Sequence, residues 1–172
     1  MYNNNQKQTI YIRTAAIAAE EDYIMSNTAV AQSLDRYLAN LHILYAKTHN
    51  YHWNVEGKQF FTVHAKLEEI YEHIADEIDA IAERILIIGQ RPSSSLAAYL
   101  KLATLKEADA ASISGEAVVK NLLSDIQALI ADLKKDIKGA QDAGDEVTAD
   151  LLIDSLGYYE KTAWMFGAYL KS

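Results

Sequence analysis

The chain contains one proline, Pro92, and seven glycines among 172 residues. Folds built from many short strands need a turn about every 8–12 residues, and this backbone lacks the turn formers to make them. Long helices are what remain, and the apolar residues recur at helical spacing. Val30, Leu34, Leu38, Leu41 and Tyr45 mark a first helix from Thr28 to about Trp53. Leu67, Tyr71, Ile74, Ile78, Ile81 and Ile85 mark a second from about Gln59 to Ile88. Gly89 supplies a stop and Pro92 bars continuation, so SSSLAAYL (93–100) reads as one short helix inside a long connection. A third helix runs from about Gly115 to Asp142 through Val119, Leu122, Ile126, Leu129, Leu133 and Ile137. Residues 143–146 turn the chain, and a fourth helix carries Val147, Leu151, Tyr158 and Met165. This pattern predicts an all-α four-helix bundle whose middle connection runs back along the bundle. Residues 1–27 are a polar, Asn/Gln-rich start, weakly amphipathic from Ile10 to Tyr23. They read as an N-terminal extension holding at most a short helix outside the core, with the domain at 28–172.

Composition excludes several function classes. Without cysteine there is no disulfide framework, thiolate zinc site, iron–sulfur cluster or cysteine nucleophile. Sixteen basic against 24 acidic residues leave a net charge of −8, which gives no general attraction to nucleic acid or an anionic membrane. No apolar run approaches the roughly 18 residues that span a bilayer, and the N-terminus lacks a basic head followed by an apolar run. The expectation is a cytoplasmic protein with no membrane partner.

The charge is unevenly spread. Residues 57–88 hold Lys58, Lys66 and Arg84 against Glu68, Glu69, Glu72, Asp76, Glu77, Asp79 and Glu83, three positive against seven negative. That is −4, half the net charge on one helix. Four of the five histidines, His49, His52, His64 and His73, lie in or just before it. The bland reading is a solvated acidic face with incidental histidines. Oxygen and imidazole donors without sulfur also suit iron, manganese or zinc. His64 and Glu68 are four residues apart and share a patch of helix, as do Asp79 and Glu83. The two pairs lie on broadly one side of the helix but about 22 Å apart along it. A metal ion holds its ligands within about 2–2.5 Å, so one chain cannot close both pairs on one ion. Either these are half-sites that bind nothing, or an antiparallel copy of the helix across a two-fold axis brings His64 and Glu68 of one chain to Asp79 and Glu83 of another. His52, at the end of the preceding helix, is placed to cap that shared site.

The segment HNYHWNVEGKQFFTVHAKLEEIYEHIADEIDAIAERILIIGQRP (49–92) resembles the Dps family, the DNA-binding proteins from starved cells within the ferritin-like superfamily. The resemblance rests on His52-Trp53, Gly57, Phe60, His64, the Glu68 position, Asp79, Ala82-Glu83-Arg84 and Gly89. GDEVTADLLIDSLGYYEKTAWMFGAYL (144–170) looks like the family's last helix, and the pattern covers about 28–170. It implies a ferritin-like bundle with a short extra helix between helices two and three, assembled as a hollow homo-dodecamer. It also implies a ferroxidase that oxidises Fe(II), typically with hydrogen peroxide, at iron sites shared between subunits, and stores the ferric product. Carried over, His52, His64 and Glu68 come from one subunit and Asp79 and Glu83 from its two-fold partner. Many members have Asp where Glu68 stands, a departure one methylene long. No Glu-x-x-His of true ferritins occurs.

Other residues carry weaker signals. Trp53 and Tyr51 stand beside these ligands, and Trp53 is a candidate contact to the iron site that quenches stray one-electron oxidants, with ordinary packing as the alternative. Asp145, Asp150 and Asp154 match, in the family, a three-fold pore that admits iron; helix capping and solvation are the alternative. His49 is close enough in sequence to support His52, His73 faces solvent or core, and His42 has no acidic companion. The rival function is a DNA-compacting structural protein with a secondary or inactive iron site. Contact would run through residues 1–27, whose Lys7 and Arg13 stand against Glu20, Glu21 and Asp22, and it would place the protein on the nucleoid.

Overall fold

The computed structural model describes the backbone of residues 4–171 and the side chains of Met25, Asn27 and 28–171. Five helices and two short strands follow in the order α1 (Asn4–Asn54), β1 (Val55–Glu56), α2 (Phe60–Ile87), α3 (Leu96–Leu102), β2 (Ile113–Ser114), α4 (Gly115–Asp142) and α5 (Glu146–Tyr169). From Asn4 the N-terminal extension is helical and enters the first bundle helix without a break. The sequence has neither glycine nor proline between Asn4 and Asn54 to interrupt it. Lys7 and Arg13, the expected DNA contacts, lie outside the described side chains.

The helices form two antiparallel hairpins, α1 with α2 and α4 with α5. Glycines with positive φ shape the turns. Gly57 (φ 100°) turns the chain between α1 and α2. At Gly89 (φ 84°) the Gln90 amide donates to the Ile85 carbonyl and the Gly89 amide to that of Leu86. Gly144 (φ 73°) closes α4 with the same pair of bonds, from Asp145 to Ala140 and from Gly144 to Gln141. Both satisfy carbonyls that a helix end would leave unpaired, in a conformation that costs glycine little.

The connection between α2 and α4 runs back along the bundle beside the C-terminal part of α1, as expected. Asp35 accepts from the Ser93 amide and hydroxyl, Asn40 Oδ1 from the Thr104 and Leu105 amides, and Asn50 Nδ2 donates to the Ala108 carbonyl. At the far end β1 pairs in parallel with β2, Val55 opposite Ile113. α4 therefore starts at the same end of the bundle as α2.

The core is largely the predicted one. Leu34, Leu38 and Leu41 on α1, Leu67, Ile74, Ile81 and Ile85 on α2, and the whole α4 stripe from Val119 to Ile137 are buried. The last helix differs. Val147 and Met165 are exposed, while Thr148, Leu152, Ser155, Tyr159, Thr162 and Phe166 face inward. The Ser155 and Thr162 hydroxyls donate to the carbonyls of Leu151 and Tyr158, one turn earlier, which lets polar side chains enter the core.

Candidate metal centre

His52 sits in the last turn of α1 and His64 in the first turn of α2, and the turn at Gly57 lays one ring on the other. Their centroids are 3.6 Å apart with planes 22° from parallel. His52 Nδ1 lies 3.0 Å from the His64 carbonyl oxygen, and His64 Nδ1 lies 2.9 Å from that of His52. The His52 carbonyl is available because α1 ends two residues later and offers it no amide one turn on. A carbonyl oxygen only accepts, so each Nδ1 carries the hydrogen and each neutral ring keeps its lone pair on Nε2. This reciprocal lock fixes the tautomer that metal ligation through Nε2 requires.

Glu68, one helical turn beyond His64, is exposed. Tyr71 lies beside it and beside the His52 ring, edge-on at 5.3 Å. Loss of solvation, then the charge and hydrogen bond of Glu68, push the Tyr71 phenol up, so it keeps its proton. His49 stacks on Tyr71 at 3.9 Å and its Nδ1 is 3.2 Å from the Tyr45 carbonyl. Trp53 is 72% exposed in the single chain and tilted against His49 at 5.4 Å. Tyr51 is the opposite case: it is buried and its hydroxyl accepts from Asn121.

Asp79 and Glu83 are exposed farther along α2. Among the described residues of one chain, no three His, Asp or Glu come together in a way that could hold a metal. Each chain presents two separate parts, an imidazole pair with Glu68 and a pair of carboxylates.

Asp145 is not free to line a pore as a bare carboxylate. It caps α5, accepting from the Thr148 amide at 3.0 Å and from the Thr148 hydroxyl, and its Oδ1 receives Arg84 Nη2 at 2.6 Å. Burial pushes this carboxyl up, but the Thr148 hydrogen bonds and the Arg84 guanidinium outweigh it and hold it below the usual carboxylate range. Asp150 and Asp154 are exposed on α5.

His42 stacks on Tyr99 at 3.8 Å, and burial lowers its proton affinity, in keeping with a packing role. His73 stacks on Tyr158 in the groove between α2 and α5. Glu77, expected on the acidic face of α2, is instead buried and bonded to Tyr37 and Tyr159. Its position on the stripe of Ile70, Ile74 and Ile81 was the available signal.

Comparison with known proteins decides the family. The Ferritin-like domain family matches residues 31–172. The chain is 41% identical over 144 residues to DNA protection during starvation protein 2 of Bacillus anthracis, covering 84% of this chain and 98% of that one. The chain belongs to the Dps family. A Dps protein from Bacillus brevis, whose crystal structure is known, superposes with a TM-score of 0.82 at 42% identity, over 85% of this chain and 97% of that one. The Dps protein of Vibrio cholerae O1, described as a member of a broad superfamily of ferritin-like diiron-carboxylate proteins, gives 0.82 at 38% identity, over 85% and 91%. As in the Dps fold, α3 lies within the long connection. No helix among the described residues is long and apolar enough to cross a membrane.

Proposed function

We propose that this Dps-family chain is a ferroxidase and iron-storage protein. Fe(II) is the substrate, hydrogen peroxide or oxygen the oxidant, and the sites lie between subunits of a hollow dodecamer. The observation that carries the reading is the locked His52–His64 pair, which presents two Nε2 lone pairs beside Glu68 while the described residues of one chain complete no site alone.

The exposed face of α2 supports the shared site. In an antiparallel pair, matching His64 with Glu83 of the partner subunit and Glu68 with Asp79 of the partner subunit places both contacts around one centre, between His73 and Ile74. Phe61, 83% exposed, and Leu86, 54% exposed, share that centre and would meet at each end of the pair. Ala65, Ala75 and Ala82 on the same side let two helices approach closely. An isologous interface of this kind holds two identical sites.

The ligand set explains the chemistry. Negative carboxylates favour Fe(III) over Fe(II) and so assist loss of the electron. Two Fe(II) each give one electron to one hydrogen peroxide, the O–O bond breaks, and two hydroxide ions form without release of hydroxyl radical. The histidines hold the metal and Trp53 stands at the exposed edge of the site. Asp150 and Asp154, repeated around a three-fold axis, would concentrate cations at an entrance, with Asp145 shaping the start of α5 beside them. The protective outcome is removal of iron and peroxide together. The relatives' names speak of DNA protection. A net charge of −8 offers DNA little, so contact would depend on residues 1–27.

Complementation tests the reading. A His52→Ala/His64→Ala protein and an Asp79→Ala/Glu83→Ala protein should each be inactive in rapid Fe(II) oxidation by stoichiometric peroxide. Reassembled together at equal amounts, half the dimers are mixed and each regains one intact site of two, so about a quarter of the activity returns. Particle mass confirms assembly. No recovery from mixed particles of normal size would overturn the shared site.

A further inference from the structure

A buried cluster on the inner side of α2 takes no part in the iron chemistry above. Glu77 lies in the core, its Oε1 accepting from the Tyr37 hydroxyl and its Oε2 from the Tyr159 hydroxyl, both at 2.6 Å. Tyr37 and Tyr159 are themselves buried. From Tyr159 a row of rings leads outward. Tyr158 meets it edge-on at 5.3 Å, and His73 stacks on Tyr158 at 3.5 Å in the half-buried groove between α2 and α5. His73 Nε2 lies 3.8 Å from Glu77 Oε2 and makes no hydrogen bond.

Packing alone is a poor reason for this arrangement. A buried carboxylate costs folding free energy even when hydrogen-bonded, and apolar residues of similar volume are often neutral or better. The phenols hold their protons firmly. Burial, together with the Glu77 charge, pushes both well above the usual tyrosine value. Loss of an electron changes this, because an oxidised phenol is a strong acid. The proton then needs an acceptor already in place, and a carboxylate oxygen stands 2.6 Å away.

We propose that Tyr37, Glu77 and Tyr159 form a proton-coupled redox centre that takes up single oxidising equivalents, reached from the surface through His73 and Tyr158. With a hydroxyl radical as oxidant, one electron leaves the tyrosine and reduces the radical to hydroxide. The phenol O–H bond breaks, an O–H bond forms on Glu77, and a neutral tyrosyl radical remains. A one-electron reductant, a thiolate or ferrous iron, returns the electron, and Glu77 returns the proton. The second phenol still donates to the glutamate, and burial keeps the radical from meeting another. The centre thus holds a stray equivalent inside the protein instead of on a neighbouring molecule. It does not depend on ferroxidase activity, since the oxidant can be supplied from outside.

The test uses the assembled, iron-free protein, oxidised by azidyl radicals from pulse radiolysis and followed by optical absorption and by electron paramagnetic resonance of rapidly frozen samples. The wild type should give a long-lived tyrosyl radical whose formation slows in D2O. Tyr37→Phe/Tyr159→Phe should lose that signal. Glu77→Gln keeps both phenols and the side-chain shape but removes the anionic proton acceptor, and should lose it too, while Tyr158→Phe should slow its appearance. A long-lived signal unchanged in the double variant or in Glu77→Gln would overturn the proposal. So would a wild type that forms only short-lived radicals. If the double variant fails to assemble, Glu77→Gln and the D2O comparison on the wild type decide.

Discussion

Replacing Arg84 with methionine removes the link between the last turn of α2 and the first turn of α5 while keeping an unbranched side chain in its place. Arg84 Nη2 donates to Asp145 Oδ1 at 2.6 Å and Nε to Thr148 Oγ1 at 2.8 Å. The two charged side chains are 14% and 11% exposed. Breaking a fully buried pair costs about 3–5 kcal/mol, because the remaining charge is left uncompensated. Here Asp145 keeps the Thr148 amide and hydroxyl donors, and some water reaches it, so the expected loss at pH 7 is about 2–3 kcal/mol. The sign with pH follows from Asp145. Its folded carboxyl is held below the ordinary range, so it stabilises the fold above the unfolded value of about 3.9, and that contribution is lost as pH falls through the folded value. In Arg84→Met the carboxyl loses the guanidinium and moves back up, leaving less pH-dependent stabilisation to lose. The gap between wild type and variant should therefore be full at pH 7 and narrow below about pH 4. Denaturant unfolding at fixed protein concentration, read by tryptophan fluorescence and circular dichroism at both pH values, measures it. Arg84→Lys, which keeps charge but not the fork, should fall between the two. A loss under about 0.5 kcal/mol at pH 7, or the same loss at both pH values, would refute the argument.

Three further outcomes are expected. Gly115→Ala should destabilise by about 1 kcal/mol in thermal or denaturant unfolding, since a Cβ there meets Val63 Cγ2 at 3.0 Å, Gln59 Cβ at 3.2 Å and the Tyr169 hydroxyl at 3.3 Å. Asp150→Asn/Asp154→Asn should slow Fe(II) uptake in stopped-flow traces and weaken its dependence on ionic strength, with assembly unchanged; uptake at the wild-type rate would remove these residues from the entrance. Phe61→Lys should shift particle mass toward smaller species, because it places a charge where the apolar Leu86 of the partner subunit is expected; a full-sized particle would count against the α2 pairing.

Legibility in the sequence followed the physics of each helix. The α4 stripe could be read residue by residue because Val119, Leu122, Ile126, Leu129, Leu133 and Ile137 are apolar at every helical step; Asp136, buried beside them, is held by Arg36. The α5 face was misread because Thr148, Ser155 and Thr162 count as polar in a sequence yet are buried, their hydroxyls satisfied locally by Asp145, Leu151 and Tyr158. Val147 and Met165, apolar at helical spacing, are exposed on the other side. At the candidate centre, spacing alone separated the two ligand pairs. The His52–His64 lock was invisible, because it depends on each ring meeting the other residue's carbonyl across the turn. At Glu77 the place on the apolar stripe was legible but the bonding was not, because its partners Tyr37 and Tyr159 lie on other helices, 40 and 82 residues away along the chain.

α2 therefore carries ionisable residues for two different ends, and burial separates them. Glu68, Asp79 and Glu83 remain exposed on one side, where each carboxylate keeps its hydration; the proposed shared site would have it surrender that hydration to a cation. Glu77, only two residues from Asp79, is turned into the core, where two phenol donors replace that hydration and no cation can enter without displacing them. A rotation of about 100° per residue is enough to set the two roles on different sides of one helix. The exposed side is incomplete in one chain, and its proposed work requires assembly. The buried cluster is complete within one chain, so its radical signal should persist in a variant such as Phe61→Lys even if that variant no longer forms the full particle. Loss of the signal on dissociation, with the helix content intact, would show that the two sides of α2 are not independent.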